Sequence, residues 1–148
     1  AQPSDGRRES PVNPDSPRRD GELVEIRVPA SGAYVATLRL AAASLAARCD
    51  LTVDDIEDLR LAVDEACSLL LPHAGRAKDD GANLDAVFTL HPGELRVQTY
   101  VHAVDGAAID QTGFAWTVLG ALASDLSIES EADQLGITIT KRREAALS

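Results

Sequence analysis

The sequence has no apolar run approaching the ~20 residues that a membrane-spanning helix needs, although 45% of its 148 residues are hydrophobic. A helical membrane span is therefore not expected. It also shows no basic leader followed by an apolar segment and a small-residue cleavage site, so export is not expected and a cytoplasmic location is. Lysine is scarce, with only Lys78 and Lys141, and the formal charge is −10. A general nucleic-acid binder needs clustered cations to displace counterions from phosphates, and this balance lacks them. A basic protein surface is the better match. Cysteine is nearly missing too. Cys49 and Cys67 stand without metal-ligand spacing, which leaves two readings: small core residues, as unpaired cysteines usually are, or a redox switch.

What is present sorts into a tail and one domain. Residues 1–21, "AQPSDGRRESPVNPDSPRRDG", hold four of the seven prolines, and Val12 is their only sizeable apolar side chain. Burial cannot offset the ordering entropy of such a segment, so a solvated, disordered tail is expected, with its arginine pairs as a secondary partner contact. The domain is expected over residues 22–143, with 144–148 as a short C-terminal tail.

Within the domain, "ELVEIRVP" alternates Leu23, Glu25 and Arg27 against Val24, Ile26 and Val28, the period of a half-buried strand. "ASGAYVATLRLAAASLAARC" predicts a helix with Ser31 as its cap and Tyr34, Leu38, Ala41, Leu45 and Cys49 as its stripe. "LTVDDIEDLRLAVDEACSLLLPHAG" predicts a second helix: Thr52 caps, Asp54 and Asp55 meet the positive end of the dipole, Ile56, Leu59, Val63, Ala66 and Leu70 face the core, and Pro72 and Gly75 end it. Two alternating runs around "HPGE" predict a hairpin whose second strand faces inward through Leu95, Val97, Thr99 and Val101. Phe114, Val118 and Leu122 predict a third helix. "LSIES" and "LGITITKRR" predict two last strands, the latter through Leu135, Ile137 and Ile139. This grouping favours an α+β two-layer sandwich, a mixed sheet covered on one face by about three helices.

The element order, together with "DIEDLRLAVDEACSLLLPHAG", resembles the GHKL (Bergerat-type) ATPase fold, and within it the bacterial anti-sigma-factor serine-kinase family of RsbW-like and SpoIIAB-like proteins. The resemblance spans roughly residues 22–142. It implies a helix of the pattern D-x-x-x-L-x-x-A-V-x-E-A-x-x-N-A-x-x-H, whose Glu is the general base toward a substrate serine and whose Asn holds the magnesium of ATP. Glu65 matches the Glu, and His73 with Ala74 matches the trailing His-Ala. Leu69 stands at the Asn. Steps of four residues place positions 65, 69 and 73 on one helix face, and leucine offers a hard cation no oxygen.

The other motifs of the family's pocket depart as well. Its first glycine box, D-x-G-x-G after a strand, falls on Val101, Ala103 and Asp105. Its second, G-x-G-x before the last helix, falls on Gly113, Phe114, Ala115 and Trp116, with only the first glycine kept. The segment from Asp105 to Thr112 is short for a lid over ATP. Trp116 and Phe114 are expected to fill the space that the nucleotide occupies in relatives. In the closing strand, Ile137 stands where the family carries Thr.

The resemblance therefore implies an anti-sigma factor with a degenerate, pseudokinase-like site: a protein of transcription regulation and stress response that sequesters a sigma factor and releases it to an anti-anti-sigma (STAS) partner. On that reading no cofactor is expected and Glu65 is vestigial. The alternative is an active serine kinase that phosphorylates the anti-anti-sigma protein, with ATP and magnesium; a third is a scaffolding relic without a sigma client. Arg39 and Arg48 lie off the first helix's apolar stripe, and Arg39 matches a partner-contacting arginine of the relatives, against the plainer reading of a solvated helix residue. A homodimer through the first strand and helix is implied by the relatives. Asp64, Glu65 and His73 do not form a metal-ligand pattern. Lys141, Arg142 and Arg143 read as a solubilising strand end, or as a contact to an acidic partner.

Overall fold

The computed structural model describes residues 21–75, 81–104 and 106–144. The chain runs β1 (Glu22–Pro29), α1 (Val35–Arg48), α2 (Val53–Leu70), β2 (Asn83–His91), β3 (Glu94–His102), α3 (Phe114–Leu122), β4 (Asp125–Glu131) and β5 (Gln134–Arg142). Short 3-10 turns precede α1 and follow α2. The element order is the expected one. The five strands form one sheet in the order β1-β2-β3-β5-β4. Each of its four ladders is antiparallel, so the expected mixed sheet is corrected. Hairpins join β2 to β3 and β4 to β5, and α3 carries the chain across β5 to the far edge, so no parallel neighbour arises.

Strand periodicity decides which face meets the helices. Leu84, Ala86, Phe88 and Leu90 of β2, Leu95, Val97, Thr99 and Val101 of β3, and Leu135, Ile137 and Ile139 of β5 are all buried, and the register stacks them in rows. The β2–β3 connection is Pro92-Gly93, with Gly93 at φ +77°. Proline supplies the first central φ of a type II turn and glycine the positive second.

Helix ends follow their chemistry. Thr52 and Asp55 form a capping box at the start of α2, each side chain accepting from the other's backbone N–H. Behind α1, Leu51 N donates to Ala46 O and Asp50 N to Ala47 O, with Asp50 at φ +63°. That is a Schellman closure, and it turns the chain into α2 within a few residues.

Two helix stripes differ from expectation. α1 buries Val35, Leu38, Ala42 and Ala46, while Tyr34 is exposed. This helix is apolar or small nearly all the way round, so its period is a weak guide to the face that docks. Ser31 caps the preceding 3-10 turn, not α1 itself. In α3 the buried residue is Leu119, and Phe114 is 83% exposed. Residues 1–20 and 145–148, which carry most of the two expected tails, lie outside the described residues.

Candidate nucleotide cleft and partner surface

Helix α2 is the spine of the site. Its core face is set by Leu59, Ala62, Val63, Ala66 and Leu70, leaving two flanks. Asp64 lies on the flank toward α1, where its carboxylate accepts from Arg39 at 2.6 Å. Asp58 lies on the flank toward α3 and pairs with Lys141 at 3.1 Å. Consecutive helical residues point about 100° apart, so Glu65 turns away from Asp64 toward the α3 side. Glu65 and Leu69 are half-buried there, and Leu69 packs on the core. His73 is also half-buried but belongs to the 3-10 turn Leu71–His73. The last of the expected four-residue steps is therefore not helical, because Pro72 removes a backbone donor just beyond α2.

The end of β3 meets the end of α2. Gly75 N donates to His102 O at 2.7 Å. Val101 is fully buried and Ala103 is 2% exposed, so two of the three positions matched to the first glycine box are core hydrocarbon. The third, Asp105, lies outside the described residues.

The segment that follows folds inward. Ile109 is buried and Ala107 packs against the core. Asp110 closes the turn before α3 by accepting from the Thr112 amide and hydroxyl at 2.9 and 2.6 Å. These bonds hold its carboxyl below the usual aspartate range. Gly113 begins α3 at φ −83°, a conformation open to any residue, and an added Cβ would meet only Asp110 at 3.2 Å. Ala115 and Trp116 are half-buried, and Trp116 packs on the core. The expectation that Phe114 fills the cleft is corrected: its ring points to solvent, because the inward face of this short helix runs through Trp116, Leu119 and Leu122. Ile109 was missed in the sequence because it sits singly in a loop without period.

The arginines matched to a partner surface are engaged inside the chain. Arg39 holds Asp64 across the α1–α2 seam, and Arg48 lies 3.6 Å from Glu22. The structure does not bring them together: one lies mid-helix against α2, the other in the last turn of α1 beside β1. Among the closing cations, Lys141 is corrected, while Arg142 and Arg143 are exposed. Lys141 is 8% exposed and donates to Leu122 O at 2.8 Å as well as to Asp58, so it ties the end of α3 to α2 instead of solubilising a strand end. Arg142 bonds Glu94 and Asp125. Both cysteines are buried, and burial pushes the Cys49 thiol up to about 11 and the Cys67 thiol up to about 12. Neutral thiols of this kind fit the core reading.

Comparison with known proteins places this geometry. Residues 28–141 match the histidine kinase-like ATPase domain. The chain belongs to that family. Among curated relatives it is 36% identical over 89 residues to the serine-protein kinase RsbW of Bacillus thuringiensis (strain Al Hakam), and to the RsbW of Bacillus cereus (strain B4264) in the same measure. Each alignment covers 60% of this chain and 52% of the relative, so the chain spans about half the length of the curated relatives it matches. Among solved structures it resembles the crystal structure of the RsbU and RsbW domains of Rv1364c from Mycobacterium tuberculosis, at a TM-score of 0.58 and 18% identity over 86% of this chain and 34% of the other. That likeness shows the fold. The two-layer architecture is thus that of the histidine kinase-like ATPase domain.

Proposed function

We propose that this chain is an anti-sigma factor that works by binding alone: it sequesters a sigma factor by occlusion and yields it to an anti-anti-sigma (STAS) partner, without phosphoryl transfer. The observation that carries this reading is hydrocarbon at the positions matched to the family's nucleotide-binding residues. Leu69, Val101 and Ala103 stand where a magnesium ligand, an adenine-reading carboxylate and a close-approach glycine are needed, and the last two are buried in the core. Magnesium takes oxygen ligands, and none of these side chains has one. At these three positions the chain offers neither a metal ligand nor a base-reading group for a nucleotide. A fluorescent ATP analogue with magnesium, titrated to millimolar concentration, is expected to give no saturable signal; saturation would sink the reading.

The partner follows from charge. A chain at −10 suits a client with a basic, DNA-binding surface. The proposed contact is the exposed edge of the α1–α2 seam at Arg39, in a cytoplasmic homodimer built on β1 and α1. A tagged chain is expected to copurify with a sigma subunit at low salt, and recovery of none would refute the assignment. Arg39→Gln is expected to weaken capture roughly tenfold, the cost of one charge-assisted contact. Glutamine is the better probe than glutamate, which would set a second carboxylate against Asp64.

A second reading rests on Glu65. It keeps the position of the general base and is half-buried on the α3 side of α2, and the curated relatives are serine-protein kinases. An active kinase would transfer label from ATP to a serine of an anti-anti-sigma protein, and Glu65→Gln would abolish the transfer.

A further inference from the structure

The sheet face turned away from the helices is uncovered among the described residues. Its register sets Arg27, Asp85, Tyr100, Gly136 and Glu129 in one row across the five strands. Two hollows of about 250 and 280 Å³ lie along this row, and Val87 and Tyr100 line both. Tyr100 is thus the shared wall of a groove across the face.

The two ends of the groove differ in charge. At the β1 end Asp85 is answered by Arg27 at 2.7 Å. Farther along the face, Arg142 answers both Glu94 and Asp125. The larger share of unanswered charge lies at the β4 end, where Glu129 and Glu131 line one hollow and, among the described residues, neither is ion-paired. Glu129 is held in place by hydroxyl donors, Thr138 at 2.7 Å and Ser127 at 2.9 Å. Hydroxyls orient a carboxylate without neutralising it.

Gly136 keeps the space between these groups open. A Cβ there would lie 3.0 Å from Thr99 O, 3.0 Å from the Tyr100 Cβ and 3.6 Å from Glu129 Oε1. Any larger residue would crowd the Thr99 carbonyl and the Tyr100 Cβ. The Tyr100 hydroxyl makes no hydrogen bond among the described residues. Burial, with Asp85 and Glu25 nearby, pushes its pKa up, so the ring stays neutral.

We propose that this hollow docks an arginine side chain carried on an extended basic segment of a partner protein, with the guanidinium laid against the Tyr100 ring and paired to Glu129 and Glu131. Arginine suits the place better than lysine, because its planar fork stacks on an aromatic face while donating to carboxylates along its edge. A second copy of this chain suits it worse, since the same carboxylates would face each other. The site lies on the opposite side of the sheet from α1 and from the cleft, so it stands or falls apart from the anti-sigma reading.

The test is a titration of the ¹⁵N-labelled full chain with a hexa-arginine peptide, followed by NMR. Saturable shifts are expected at the amides of Gln98, Tyr100, Glu129 and Gly136. In the double variant Glu129→Gln/Glu131→Gln binding weakens about tenfold, as expected for the loss of charge-assisted pairing. Tyr100→Ala weakens it, Tyr100→Phe keeps it, and hexalysine binds several-fold more weakly than hexa-arginine. If the double variant does not fold, Glu131→Gln alone is the reporter, since among the described residues no hydrogen bond holds that carboxylate in place. Shifts centred on Asp54 and Glu57 of α2, equal binding of the two peptides, or indifference to the carboxylate variants would overturn the proposal. So would occupants from the protein itself. These would be revealed by the same amides moving on Arg7→Ser/Arg8→Ser substitution without peptide, or by a dimer in sedimentation that the double variant dissociates.

Discussion

Replacing Lys141 with methionine tests how the helical layer is fastened. The ammonium is nearly buried and donates to Leu122 O at 2.8 Å and to Asp58 at 3.1 Å. Leu122 is the last residue of α3, and the final carbonyls of a helix have no partner within it. Lys141 therefore caps α3 and binds it to α2. Methionine keeps much of the stem's volume and offers no donor. Losing a charged hydrogen bond to a carbonyl costs about 1.5–3 kcal/mol. The Asp58 contact adds at most about 0.5 kcal/mol, because that carboxylate is 42% exposed and water replaces the ammonium. Removing a buried charge returns part of its desolvation cost. The expected net loss is about 2 kcal/mol, which corresponds to roughly 1 M in urea midpoint and roughly 8 °C in Tm for a domain of this size. Urea unfolding followed by circular dichroism reads it, with the slope unchanged. Asp58→Asn should cost far less. A loss below about 0.5 kcal/mol for Lys141→Met, the range of ordinary surface substitutions, would refute the capping argument, as would an equal loss for Asp58→Asn.

Other perturbations probe the same framework. Thr52→Ala should cost about 1 kcal/mol by opening the capping box of α2, measured by the same unfolding assay. Asp55 is subject to burial, which raises its pKa, but bonds from the Thr52 side chain and from the Glu144 and Thr52 amides, with Lys141 nearby, bring it below the ordinary aspartate value. Its contribution is thus complete above the unfolded value and is lost as pH falls through the folded one. The stability gap between the native chain and Asp55→Asn should be full at pH 7 and close in acid; a gap that widened in acid would contradict the assignment. Cys49 and Cys67, buried with raised thiol pKa values, should resist a thiol-specific chromogenic reagent at pH 8 until urea unfolds the chain. Rapid reaction in the native state would revive the redox reading.

The parts of the fold legible in the sequence are those with a strong local signal. Alternation in "NLDAVFTLH" and "ELRVQTYVH", closed by a Pro-Gly turn, is enough for a hairpin with one buried face, since a one-residue slip would expose the whole set. α2 was equally readable, because its caps and its apolar stripe agree. α1 was not: alanines surround it, and the docking face was decided by what the sheet offers. Phe114 shows the same limit in α3, where one large side chain at the first position suggests a stripe, whereas Trp116, Leu119 and Leu122 meet the core.

The candidate site divides along the same line. That Leu69, Val101 and Ala103 cannot ligate a metal or read a base is a property of side-chain chemistry, and the sequence alone determined it. That Arg39 spends its charge on Asp64, that Lys141 is a buried tie, that Ile109 reaches the core from a loop, and that Tyr100, Gly136 and Glu129 share a row were decided only by tertiary structure. Each of these joins residues far apart in the chain. Local periodicity is silent on such distances, which strand register and helix docking alone bring down to a few ångströms.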